Sequence, residues 1–252
     1  MSKVICIIPS RYQSSRFEGK PLADICGKPM IQHVYDRVSE AGTIDYVAVA
    51  TDDERIFRRV REFGGNAIMT SDTHRSGTDR IAEAVATLDA DDDDIVVNIQ
   101  GDQPLFEPVQ IDEVAAPLME DPSLVMSTLV YRIRRAEEIH HPNAVKTVFD
   151  HDHFAIYFSR ATIPYDRDGG GDAVYYKHHG IYAYRRSFLP VFTGLKRGRL
   201  EMLESLEQLR ALEQGYRIKV VETDHDSVEV DTEEEIERVR RIISEKSKKI
   251  QW

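Results

Sequence analysis

The sequence predicts an α/β fold: a doubly wound, mainly parallel sheet with a smaller mixed or antiparallel extension. Three observations predict it. Short runs such as "VICII" and "YVAVAT" are apolar at nearly every position, the pattern of strands buried on both faces. They alternate with segments of helical period from the N-terminus to about residue 120, which indicates parallel strands joined by crossover helices. Beyond that point strands cluster closely, and a long charged helix closes the chain.

The elements follow in order. Val4–Ile8 is a strand that Pro9 should end. From Pro29, the residues Met30, Ile31, Val34, Val38 and Ala41 recur at helical spacing, and Gly42 follows as a stop. Tyr46–Thr51 is the second strand. "DDERIFRRVREFGG" is a helix capped by Asp52 or Asp53 and ended by Gly64. "AIM" is a short third strand, Gly77–Leu88 a helix and "DIVVNIQGD" a fourth strand. "VMSTLVYRI", "AVKTVFD", "FAIYFSR" and "AVYYKHHGIYAYRR" then give the clustered strands. "MLESLEQLRALEQG" reads as one helix and "YRIKVVET" as a strand. The last helix, from Thr232 to about Lys249, keeps Ile236, Val239, Ile242 and Ile243 on one face.

Composition narrows the function. The chain has 252 residues, room for one large domain or two small ones, and a formal net charge of -11. An acidic balance argues against a nucleic-acid partner, and no run approaches a membrane span. Cys6 and Cys26 are the two cysteines, too few for a disulfide scaffold, and they suggest reduced thiols in a cytoplasm. The start "MSKVICIIPSR" reads as mature and unprocessed, because its apolar stretch is too short for a signal segment. The run Asp89–Asp94 reads as a solvated loop rather than a metal site.

Against this acidity, "IIPSRYQSSRFEGKPL" gathers Arg11, Arg16 and Lys20 at the exit of the first strand. Parallel α/β sheets bind ligands beyond the carboxyl ends of their strands. Ser10, Ser14, Ser15 and Gly19 allow backbone N–H groups to approach an anion. Arg grips phosphate oxygens in a fork and Lys acts as a compact charge, so the segment suits a polyphosphate. It is neither a P-loop nor a GxGxxG fingerprint. Asp102, after "VVNIQG", is a second feature of the same sheet edge. It reads as a metal ligand or a turn residue. Asp231, in "VEVDTEEE", reads as a metal ligand or an N-cap in competition with Thr232. Two carboxylates beside phosphates would make a Mg²⁺ site.

These segments resemble the 3-deoxy-manno-octulosonate (Kdo) cytidylyltransferase family, the CMP-Kdo synthetases. The resemblance continues through "VAVATDDERI", "HRSGTDRIAEA", "VNIQGDQP", "HPNAVKTVFD", "YFSRATIPYDRD", "KHHGIYAYRR", "ESLEQLR" and "VEVDTEEEIERVR", and covers nearly the whole chain in order. "YFSRATIPYDR" and "HPNAVK" are specific to this branch. Two positions depart from it: Glu18 stands where the family usually has Pro, and Gln103 where it commonly has Glu. The resemblance implies one Rossmann-like nucleotidyltransferase domain over residues 1–252, with about 125–215 carrying sugar-binding and dimerisation parts. It implies a homodimer and transfer of CMP from CTP to Kdo for lipopolysaccharide synthesis. Arg11, Arg16 and Lys20 would hold the triphosphate, and Asp102 and Asp231 a Mg²⁺. Arg11, Lys20, Asp102 and Asp231 would form the catalytic set. Ala50, Thr51, Arg75, Ser76, Gly77 and Gln100 would complete the nucleotide site. Ser76 also reads as a helix N-cap, and His74 as a surface histidine.

The sugar acid calls for Arg, His, Tyr and amide groups. The resemblance places Kdo among Arg160, Arg167, His178, Tyr182, Glu207 and Gln208, the last two adjacent on a helix. Without it, Tyr182 reads as core and Glu207 as a solvated face. His140, His141, His151 and His153 lack zinc spacing and stay unassigned. The nearest alternative is a cytidylyltransferase for 8-amino-Kdo or another 2-keto sugar acid. A non-catalytic nucleotide-binding regulator is a further alternative, disfavoured because Lys20, Asp102 and Asp231 are present, and a structural partner protein is another, disfavoured by the dense phosphate-binding loop.

Overall fold

The computed structural model describes residues 2–13, 17–169, 173–227, 229–230 and 232–250. Arg16 and Asp231 therefore lie outside the described residues. Strand β1 (Val4–Ser10) lies inside the sheet. A hairpin follows, β2 (Asp24–Ile25) and β3 (Lys28–Pro29), and then helix α1 (Met30–Ser39). β4 (Tyr46–Thr51), α2 (Glu54–Glu62), β5 (Ala67–Met69), α3 (Gly77–Ala86), β6 (Ile95–Asn98) and α4 (Val109–Glu120) complete the parallel half. β1 pairs in parallel with β4 and β6, and β4 with β5.

The second half holds β7 (Met126–Arg132), α5 (Ala136–His140), β8 (Lys146–Phe149), β9 (Ala155–Ser159) and β10 (Tyr176–Arg185). Three short helices follow, α6 (Phe188–Gly194), α7 (Arg199–Glu204) and α8 (Leu209–Glu213), and then β11 (Lys219–Thr223) and α9 (Glu233–Ile250). β10 runs antiparallel between β6 and β7, and β7 is parallel to β11. β8 and β9 branch from β10 as the antiparallel extension.

Alternation along β1 explains the layering. Val4, Cys6 and Ile8 join one core with α1, α2 and α4. Ile5 and Ile7 join another with α3, α6 and α8. Side chains of period two thus feed helices on both faces, as a doubly wound sheet requires. Ile236 and Val239 of α9 pack with Ile25, Met30, Leu105 and Val230 in a third core. Each such aliphatic burial contributes roughly 1.5–3 kcal/mol.

Two expectations need correction, and one hairpin was not foreseen. Pro9 does not end β1, which runs on to Ser10. Ile95 N donates to Lys3 O and Asp45 N to Val4 O, so odd residues of β1 turn their backbone to β6 and even ones to β4. Pro9 faces β6, whose pairing stops at Ile7, so its missing N–H costs no ladder bond. The helix expected across 202–215 is two, α7 and α8, because Ser205 is left-handed with φ 52°. The Glu204 carboxylate accepts from the Ser159 hydroxyl at 2.7 Å and Arg160 N at 2.9 Å, drawing the end of α7 onto β9. The Cys26–Gly27 hairpin had no Asn-Gly signal. Both residues take positive φ, 53° and 87°, as a tight two-residue loop demands.

Candidate active site

An open cleft of ≈ 410 Å³ lies beyond the carboxyl ends of β1 and β6. Ser10 at the end of β1 and Arg11 after it border the cleft, with Arg75, Ser76 and Gly77 at the start of α3, and Gln100, Gly101 and Asp102 after β6. A Cβ on Gly101 would sit 3.2 Å from Pro9 O and 3.3 Å from Ile31 Cδ1. Glycine therefore lets the Asp102 loop lie directly on the end of β1.

Lys20 reaches the cleft from a 3-10 turn, Lys20–Leu22. Gly19 before it has φ 72°, and its N–H donates to Tyr12 O at 2.9 Å. The Arg55 guanidinium lies 3.2 Å from the centroid of the Tyr12 ring, bracing the turn from outside. Lys20 Nζ donates to Asp102 Oδ2 at 2.7 Å and to Val230 O at 2.8 Å. An ammonium and a carboxylate are thus held together at the cleft, beside the segment that leads to Asp231. Arg11, Lys20, Arg75 and Arg80 line one cleft in a chain of net charge -11, so positive charge is focused where an anion would enter.

Two lining residues escaped the sequence reading. Arg80 is 4% exposed and donates to Asp52 Oδ2 at 2.8 Å and to Thr70 Oγ1 at 2.5 Å. It stands one turn after Ser76, and that helical spacing was the available signal. His74 also lines the cleft and bonds Glu83 of α3. The Ser71 backbone N–H, followed by His74, holds the Glu83 carboxyl below its ordinary range. Ser76 does cap α3, accepting from Asp79 N at 3.1 Å. Ala50 and Thr51 are fully buried and do not border the cleft. Thr51 Oγ1 accepts from Asp53 N and Thr51 O from Thr70 N, so both are committed to the turn.

The sugar-side candidates spread over a neighbouring region. A second cavity, ≈ 370 Å³, shares Arg75 and Ser76 with the first and includes Glu207 and Arg210. Glu207 lies in the turn between α7 and α8, not on a helix, and accepts from Thr78 Oγ1 at 2.6 Å. Burial raises its carboxyl pKa, which Thr78 and Ser76 partly offset. Gln208 is buried as the N-cap residue of α8. Arg160 gives Nε to Glu204 O at 2.7 Å and Nη1 to Pro142 O at 3.1 Å, so much of its guanidinium fastens loops. Arg167 is exposed.

His178 and Tyr182 flank an irregular step in β10, their rings 5.2 Å apart. Thr128 Oγ1 donates to Ile181 O at 2.7 Å and meets His178 Nε2 at 2.9 Å. A hydroxyl whose proton is engaged can only accept, so His178 carries its proton on Nε2 and leaves Nδ1 as an acceptor. Burial pushes the His178 pKa down to about 3, and the ring is neutral near pH 7. Tyr182 pairs across the sheet with Asn98, which ends β6 just before the Asp102 loop. Burial raises the Tyr182 phenol well above its ordinary range.

Comparison with known proteins identifies the lineage. The cytidylyltransferase family profile matches residues 5–240. The 3-deoxy-manno-octulosonate cytidylyltransferase of Syntrophus aciditrophicus is 71% identical, over 96% of this chain and 98% of its own. This chain belongs to the 3-deoxy-manno-octulosonate cytidylyltransferase family. The relative of that name in Desulfatibacillum aliphaticivorans is 56% identical over 96% of this chain and 99% of its own. A solved CMP:2-keto-3-deoxy-manno-octonic acid synthetase complexed with CTP superposes with TM-score 0.92 at 43% identity, covering 97% of this chain and 100% of that one. As a Kdo cytidylyltransferase family member, the protein is a nucleotidyltransferase. The structure brings Arg11, Lys20, Arg75, Ser76, Gly77, Gln100 and Asp102 to one cleft, and it leaves Ala50 and Thr51 beneath the surface.

Proposed function

We propose that the protein transfers CMP from CTP to the anomeric hydroxyl of Kdo, releasing pyrophosphate, and so supplies an activated sugar for lipopolysaccharide biosynthesis. The observation that carries this reading is the cation-lined cleft with the Lys20–Asp102 contact at its border. The anomeric oxygen bonds to the α-phosphorus and the bond to the β-phosphate breaks. The hydroxyl proton passes to water, and no side-chain general base is needed. Lys20, with Arg11 and Arg16, binds the triphosphate and neutralises charge that grows on the leaving pyrophosphate. Arg75, Ser76, Gly77 and Gln100 orient the nucleotide. On the sugar side, His178 Nδ1 accepts a hydrogen bond from a sugar hydroxyl, while Tyr182, Glu207, Gln208, Arg160 and Arg167 complete the pocket and hold the reacting oxygen in line.

Asp102 offers hard carboxylate oxygens at the edge of an open cleft, and its side chain is 30% exposed. Among the described residues no three His, Cys, Asp or Glu side chains converge as a metal group. A carboxylate or two, with phosphate and water completing the shell, is the arrangement Mg²⁺ favours. Asp102 and Asp231 would hold it, and a bound Mg²⁺ would supply Lewis-acid charge at the α-phosphate and lower the pKa of the attacking hydroxyl.

We further infer a cytoplasmic homodimer, with residues 125–215 providing both the sugar pocket and the contact between copies. Cytoplasmic CTP supports the location, and exposed Ile156, Tyr165, Met202 and Leu203 in this region support the contact. The test is pyrophosphate release with each of the four NTPs against Kdo, 8-amino-Kdo and sialate-like acids, with the product identified by mass. CTP with Kdo should give CMP-Kdo and pyrophosphate in equal amounts. Preference for another NTP, or no product with any sugar acid, would overturn the reading.

A further inference from the structure

Gln103 follows the proposed metal ligand Asp102 directly, yet its side chain is fully buried and points away from the cleft's ligands into the fold. Its Nε2 donates to His179 O at 2.8 Å and to Glu229 Oε1 at 3.3 Å. Its own N–H closes a turn onto Gln100 O at 3.2 Å, while Val230 N donates to Asp102 O at 2.9 Å. One amide therefore ties three segments together: the Asp102 loop, the irregular step of β10 between His178 and Tyr182, and the 229–230 segment before Asp231.

The β10 step depends on such ties. His178 pairs with Val130 and Tyr182 with Thr128, so four steps along β10 match two along β7. Gly180 there has φ 67°. Backbone groups within the step cannot all use the ladder, and an outside donor must fix them. Gln103 serves the His179 carbonyl. Gln110 serves the His179 ring, with Nε2 3.0 Å from Nδ1, and also donates to His225 O at 3.1 Å. Both acceptors of Gln103 in this chain are oxygens, and its neutral primary amide supplies a proton to each without adding a charge.

We propose that Gln103 is a positioning residue for the transfer reaction. It sets the spacing between Asp102 on the phosphate side and His178 and Tyr182 on the sugar side. This inference rests on the sugar-pocket reading above. Gln103 touches neither substrate, so its loss should misalign the two halves while leaving the CTP cleft intact.

The experiment compares wild type with Gln103→Leu, and with the unbranched Gln103→Met in case the first fails to fold. The readouts are kcat, KM for Kdo, calorimetric CTP affinity and amide hydrogen exchange across residues 177–182. Both variants should lose at least tenfold in kcat and raise KM for Kdo, with CTP affinity within threefold of wild type. Exchange should rise across 177–182 and stay unchanged in β1 and β4. Wild-type kcat and KM in a folded variant, or losses of activity and CTP affinity in parallel, would overturn the positioning role. Absence of CMP-Kdo formation by wild type would instead overturn the functional reading, and exchange across 177–182 would then decide the tie by itself.

Discussion

Lys20→Met removes the ammonium from the cleft while keeping most of the stem's volume. In the free protein Lys20 already donates to Asp102 at 2.7 Å and to Val230 O at 2.8 Å among the described residues, and its side chain is 12% exposed. Phosphate binding therefore exchanges one charged partner for another and does not create a contact from nothing. A charge-assisted hydrogen bond contributes roughly 1.5–3 kcal/mol, and the exchange favours the lower end. At 1.36 kcal/mol per decade, about 1.5 kcal/mol weakens CTP binding by roughly tenfold. Isothermal calorimetry with CTP and Mg²⁺ measures it, with a melting curve to confirm the fold. The variant should bind CTP about ten times more weakly and turn over more slowly. A dissociation constant within threefold of wild type would refute the placement of Lys20 on the triphosphate.

Other expectations follow from single contacts. Thr128→Val frees His178 to change tautomer; one hydrogen bond of about 1–1.5 kcal/mol corresponds to roughly a 5- to 13-fold rise in KM for Kdo. CTP affinity should stay constant, and an unchanged KM would remove His178 Nδ1 from the sugar pocket. Arg210 meets Glu201 through two bonds, 2.9 and 2.7 Å, with both residues buried. Arg210→Met leaves that buried carboxylate with the longer Arg197 Nε contact at 3.2 Å as its remaining cation, so the cost in urea unfolding should fall below the ~3–5 kcal/mol of a wholly unpaired buried charge, at about 2–3 kcal/mol; a loss below about 1 kcal/mol would contradict the burial argument. His178 has a folded pKa of about 3 against 6.5 unfolded, so the unfolded chain binds more protons between those values. Stability attributable to neutral His178 is intact above pH 6.5 and falls as pH drops toward 3, by about 2 kcal/mol at pH 5. His178→Gln should flatten the stability profile from pH 6.5 to 5, and an unchanged slope would count against the buried neutral ring.

The parallel half was legible because its strands are apolar throughout: Tyr46–Thr51 and Ala67–Met69 match their predicted spans. The cleft was legible for the same reason, since its residues sit at strand exits and at a helix start. Thr232 and Glu235 form the capping box that opens α9, with Glu235 N donating to Thr232 Oγ1 and Thr232 N to the Glu235 carboxylate. What sequence left hidden depends on contacts across long separations. Glu204 breaks the expected 202–215 helix by binding β9, forty-five residues earlier at Ser159. Arg80 reads as one more helix-surface cation until Asp52, Thr70 and the cleft surround it. Gln103 reads as a minor departure from a family pattern, and its donors are assigned only when β10 and residue 229 are brought beside it.

The central claim is that Asp102 takes part in phosphoryl transfer to the sugar, and single-turnover kinetics of Asp102→Asn test it most directly. The substitution keeps the shape of a residue beyond the end of β6 whose side chain is 30% exposed, so the melting temperature should change little. It removes the charge that Lys20 now meets and that would hold the metal. Lewis-acid stabilisation is worth several kcal/mol, and each 1.36 kcal/mol is tenfold in rate. CMP-Kdo formation should slow about a thousandfold or more, with CTP affinity changed much less. A rate within tenfold of wild type would contradict the account and reduce Asp102 to a turn residue.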